Sequence, residues 1–130
     1  MDFNKVLGLT LLIITFFFSC SNDDDSSDNE STIYQEGNIT ITLKKVEDGR
    51  CPSNINCVWS GNAEVKMTIA NEDETMDFIL NTAGYINESL NFPTSASIFD
   101  LHIELIALQP YPEEGVPLSL EDYTVNIQVN

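Results

Sequence analysis

The chain has 130 residues and carries 21 acidic against five basic side chains, a formal charge of −16. That balance excludes a nucleic-acid binder, which needs a basic stripe to meet phosphates, and a domain that adheres to an anionic membrane by charge alone. The acid serves solubility and self-repulsion at a crowded surface, with attraction of cations or of a basic partner as the sharper alternative.

The first element is an apolar run at positions 6–18, VLGLTLLIITFFF, preceded by Lys5 and followed by Ser19-Cys20. It is too short to cross a bilayer and has the length of a signal-peptide apolar region. Phe17-Phe18-Ser19-Cys20 resembles a lipobox, with Phe at positions usually held by other residues. The resemblance implies a lipid thioether on Cys20, cleavage before it and acylation of the new amino terminus. More than one acyl chain then gives stable anchoring. Positions 21–30 hold no apolar residue and five acids, so they cannot offset the entropy of ordering and read as a solvated tether. An acidic run directly after such a cysteine also resembles the surface-export signal of Bacteroidota lipoproteins. The organisation expected is therefore a leader at 1–19, a lipidated Cys20 and acidic tether at 20–31, and a β-domain at 32–130. The location expected is the bacterial outer membrane, facing the periplasm or the outside.

Period-two alternation dominates from Ile33 onward and predicts strands. At 38–46, Ile39, Ile41 and Leu43 share one face. At 58–70, Trp59, Gly61, Ala63, Val65, Met67 and Ile69 do so, and at 75–80 Met76, Phe78 and Leu80. Positions 98–108 read as the strongest strand, with Phe99, Leu101, Ile103, Leu105 and Ala107 in phase; Ile106 and Leu108 break the polar face near its end, so that end is expected to be covered. Tyr123, Val125, Ile127 and Val129 close the chain, and 89–92 add a short strand. Turn residues separate these runs, and no helical period competes with them. The fold expected is all-β, a single small antiparallel sandwich or open barrel with one loop disulfide.

Cys51 and Cys57 sit in one loop. In the oxidising compartment that the leader implies, two nearby cysteines pair, and a ring of this size contributes roughly 2 kcal/mol. The alternatives are a redox pair, which usually has two intervening residues rather than five, and a zinc site, which needs further ligands. Trp59 is expected in the core against the disulfide, with a ligand-stacking platform as the alternative. Arg50 is expected to pair with Asp48 or a neighbouring acid, and as an exposed cation in an acidic protein it is the leading contact candidate. Tyr111, in the loop Pro110-Tyr111-Pro112-Glu113-Glu114-Gly115, is the second. The acidic turn at 71–74 lacks the spaced ligands and Gly of a calcium loop. His102 is the only histidine. Asp100 and Glu104 flank it on one polar face, so a metal-dependent protein or enzyme built on the three is the competing reading. No turn presents a serine nucleophile to it.

Asp48-Gly49-Arg50-Cys51-Pro52 followed by Cys57-Val58-Trp59-Ser60-Gly61-Asn62-Ala63 resembles a family of small, uncharacterised secreted or lipid-anchored bacterial domains. Gln109-Pro110-Tyr111-Pro112 and Glu121-Asp122-Tyr123 fit the same pattern, and Gly49 and Ser60 depart mildly from it. The resemblance spans almost all of 33–130 and implies one disulfide and no established activity. The function expected is a non-enzymatic, lipid-anchored module that needs no cofactor. Its partners would be the membrane, through the lipid on Cys20, and an envelope protein or glycan. An inhibitor presenting a loop to a hydrolase is the sharper form of this expectation.

Overall fold

The computed structural model describes residues 30–82 and 92–130. The expected leader, Cys20, the expected tether up to Asn29 and most of the short strand expected at 89–92 lie outside the described residues; Phe92 is described and is not in a strand.

Among the described residues, seven strands form two antiparallel sheets. The first holds β1 (Ser31–Glu36), β2 (Ile39–Asp48), β3 (Ala63–Ala70) and β4 (Thr75–Asn81) in that order, and the second holds β5 (Ser95–Ile98), β6 (Leu101–Gln109) and β7 (Thr124–Val129). Their apolar faces share one core. Ile41, Leu43, Val65, Met67, Ile69 and Leu80 come from the first sheet, and Ile103, Leu105, Leu108 and Val125 from the second. The all-β, sandwich-like fold is therefore the one the alternation predicts. The period of two puts every second side chain on the face that must leave water.

The strand boundaries differ from the expected ones where the chain leaves ideal geometry. β1 begins one residue before the expected domain start and is a separate strand, turned into β2 through Gly37, whose φ is +58°. The strand expected at 98–108 is β6, which begins only at Leu101, and Ile98 instead ends β5. Phe99 and Asp100 take φ of +53° and +64° and fold β5 back on β6, pairing Ile98 with Leu101. A two-residue hairpin needs positive φ at both central positions, and neither residue is the Gly or Asn that announces one. The register also shifts between Leu105 and Ala107. One extra residue in β6 reverses the inward phase, so Leu108 rather than Ala107 is fully buried and Ile106 is exposed.

The strand expected over 58–70 starts only at Ala63. Gly61 has φ +66°, and a Cβ there would lie 2.0 Å from the Gly49 carbonyl oxygen. The two paired segments approach closely at this point, and the positive φ takes Gly61 out of strand geometry. Trp59 is consequently not a core residue; about half of it, 51 %, is exposed.

Beyond the strands the sheets are joined at a corner by Asn81, which is buried. Its backbone N–H and side-chain Nδ2 donate to the Pro93 carbonyl at 2.8 and 3.3 Å, and its Oδ1 accepts from Asn62 Nδ2 at 2.7 Å. The 71–74 turn is closed by Asn71, whose Oδ1 accepts from the Asp73 and Glu74 amides.

Candidate functional site

The features of chemical interest gather at one end of the sandwich, where β2 runs into the 49–62 loop and β6 into the 110–117 loop. β2 and β3 keep pairing past their formal ends: the Gly49 amide donates to Asn62 O and the Cys51 amide to Ser60 O, both at 2.9 Å. Cys51 and Cys57 form a disulfide, with Cα atoms 5.9 Å apart, as expected from the compartment and the spacing.

Arg50 pairs with Asp48, as the sequence predicts, but it is not exposed: only 7 % of it meets solvent. Its Nε donates to Asp48 Oδ1 at 2.8 Å and its Nη2 to Oδ2 at 2.7 Å, a bidentate contact. The same guanidinium crosses to the other sheet. Nη1 donates to the Leu108 carbonyl at 2.9 Å and Nη2 to the Pro110 carbonyl at 2.8 Å. Its planar fork suits this double duty, which a lysine could not perform. The guanidinium carbon stands 4.6 Å from the ring centroid of Tyr111, within cation–π range. Arg50 is thereby spent on holding the loops, and of the two contact candidates only Tyr111, 47 % exposed, is offered to solvent.

Asp48 also accepts from the Arg50 amide at 3.2 Å and from the Tyr123 hydroxyl at 3.1 Å. Burial alone would raise its pKa, but the Arg50 side-chain and backbone hydrogen bonds, the Arg50 charge and the Tyr123 hydroxyl together hold it below the ordinary 3.8. Tyr123 is pushed up to about 12, first by burial and then by the Asp48 charge and hydrogen bond. Tyr123 was legible in the sequence only as an apolar-face residue of the last strand; its bond to a carboxylate 75 positions away was not.

The two loops are fastened to each other at their tips. The Ser53 amide donates to Pro112 O at 2.9 Å. Asn54 mimics a strand partner: its Oδ1 accepts from the Glu114 amide at 2.8 Å and its Nδ2 donates to the Glu114 carbonyl at 3.4 Å. Around this joint Ile55, Val58, Trp59 and Tyr111 remain exposed.

His102 lies elsewhere, on the exposed face of β6. Its Nδ1 is 3.5 Å from Ser97 Oγ across the β5–β6 pair. Asp100 is in the hairpin turn, and among the described residues no three His, Cys, Asp or Glu side chains are placed to hold a metal ion. The three residues are strung along one strand and its turn, and do not converge on a common point.

Compared with family models, with curated proteins and with solved structures, the chain matches none.

Proposed function

We propose that this chain is a non-catalytic binding module of the bacterial envelope, anchored through lipid on Cys20, with the paired loops as its contact surface. The observation that carries this reading is the contrast within that end. The loop backbones are fixed by a disulfide, a buried ion pair and the Asn54–Glu114 joint, while Ile55, Val58, Trp59 and Tyr111 stay in water. A loop ordered in advance loses little entropy on binding, and exposed aromatic and aliphatic side chains clustered on ordered loops are the usual anchors of an interface. The short apolar leader ending at Ser19-Cys20 and the acidic tether support the anchoring. The motif at 48–63, with its resemblance to small lipid-anchored domains, supports a role without catalysis. The contact partner is an envelope protein or glycan.

Capture from envelope extract tests the contact surface. Val58→Ser with Trp59→Ala is expected to abolish retention of the partner, and Ile79→Ser, on the outer face of β4, to leave it intact. Equal retention by both variants refutes the loop reading. Cys20→Ala tests the anchor: it should release the chain into the soluble fraction, and an unmodified, uncleaved amino terminus in the native host would refute it.

A further inference from the structure

Asparagine with Ser or Thr two positions later occurs at Asn29, Asn38 and Asn87. This is the pattern at which exported proteins accept oligosaccharides on the asparagine amide, and it belongs on a surface turn or loop. Bacterial transferases of this kind also select an acid two positions before the asparagine. Glu36 fills that place before Asn38, whereas Ser27 and Tyr85 stand there before Asn29 and Asn87. Asn29 and Asn87 lie outside the described residues.

Asn38 sits in the two-residue turn between β1 and β2, closed by the pairing of Glu36 with Ile39. Gly37 supplies the positive φ, +58°, that such a turn needs, and Asn38 does not share it. The turn therefore makes no backbone demand for asparagine at this place. Asn38 is exposed, and even a Cβ added to Gly37 beside it would meet nothing within 4 Å. The other loops use their asparagines differently. Asn54, Asn62, Asn71 and Asn81 each spend the side-chain amide on fastening another segment. Among the described residues Asn38 fastens none, and the Thr40 hydroxyl takes no hydrogen-bond partner. Thr40 alternates with the buried Ile41 and so lies on the solvent face of β2. Asn56 and Asn126 are exposed as well, but Val58 and Gln128 follow them two positions on, and neither brings a hydroxyl.

We infer that Asn38 is an N-glycosylation site, the acceptor for an oligosaccharide carried on a polyprenyl pyrophosphate. In the transfer, Asn38 Nδ2 bonds to the anomeric carbon of the first sugar as the bond from that carbon to the pyrophosphate oxygen breaks. The pyrophosphate leaves with the bonding electron pair, and the amide nitrogen gives up one proton. Thr40 is paired with Gln35 and Ala70 in the finished sheet, so the segment is read as the exported chain emerges, before the hairpin closes. The folded turn then carries the product without displacing a neighbour. β2 spans ten residues from Ile39 to Asp48, a rise of about 30 Å. That length sets the glycan at the opposite end of the strand from the paired loops. It also sets it beside the edge strand β1, where its bulk hinders edge-to-edge association.

This inference rests on the export proposed above and not on the loop-end reading. The test is tandem mass spectrometry of the full chain purified from membranes of its native host. The peptide containing Asn38 should carry a glycan. Occupancy should be lost in Asn38→Gln and Thr40→Val, kept in Thr40→Ser and reduced in Glu36→Gln. A bare Asn38 on a chain that begins at a lipid-bearing Cys20 overturns the inference and leaves the anchor reading standing. A bare Asn38 on a chain that keeps its leader overturns both. Release of the glycan by base elimination, which would place it on a hydroxyl, also overturns the inference, as does a glycan at Asn29 or Asn87 with Asn38 bare.

Discussion

The body of the first sheet and the loop end it carries are held by different physics. In β2, β3 and β4 the order comes from apolar side chains with no solvent exposure, Ile41, Val65, Met67 and Leu80 among them. At the loop end the order comes from directed bonds: one guanidinium shared between Asp48 and two carbonyls of the opposite sheet, one disulfide and one Asn–backbone pair. Apolar packing holds a body by hiding its surface. Directed bonds hold a backbone while leaving its side chains outside, which is what a contact surface requires.

The comparison is broken most severely by Arg50→Met. It leaves Asp48 buried without its cation, and a loss of about 4 kcal/mol is expected from the usual cost of breaking a buried pair, read by denaturant unfolding. Asp48→Asn/Arg50→Met together should recover part of it. Met67→Ala should cost about 3 kcal/mol by removing buried volume from the core, without the selective loosening of the loops that Arg50→Met produces in hydrogen exchange. Cys51→Ser/Cys57→Ser should cost about 2 kcal/mol and raise exchange chiefly in 51–60.

The pH dependence separates the regions further. Asp48 has a folded-state pKa below its ordinary 3.8, so its contribution is complete above that value and is lost as pH falls through the lowered one. Tyr123 acts in the opposite sense. With its pKa raised from 10.0 to about 12, its contribution is complete below 10 and is lost as pH rises toward 12. A stability–pH profile of Asp48→Asn should lose part of the acid limb, and one of Tyr123→Phe the alkaline limb. The smallest effect belongs to the β5–β6 turn. Asp100→Gly relieves a positive φ and should raise stability by about 0.5 to 1 kcal/mol.

The body was legible in the sequence because alternation needs only local information: Ile39, Ile41 and Leu43, or Val65, Met67 and Ile69, announce their face in the residues themselves. The loop end was legible only in its short-range parts. The Cys51–Cys57 pair and the Asp48–Arg50 pair lie within six positions of each other, and both were readable. The Leu108, Pro110 and Tyr123 partners are brought from 58 to 75 positions away by the packing of two sheets, and no local pattern encodes them. Trp59 was misplaced for a related reason. Its phase matches the strand behind it, but the positive φ at Gly61 cuts that phase off. The cover expected over the end of β6 holds for Leu108 but not for Ile106, which the extra residue turns outward in a way that unbroken alternation does not foresee.

The close approach of Gly49 and Gly61 also defines what can be rewritten. Since the space beyond Gly61 is filled by the carbonyl of Gly49, that pair works as a fixed hinge pin, and random libraries should hold it constant. Beyond the pin, Ser53, Ile55 and Val58 are exposed and, among the described residues, hold no backbone group through their side chains. They are the positions at which new specificities can be selected while the frame stays as it is.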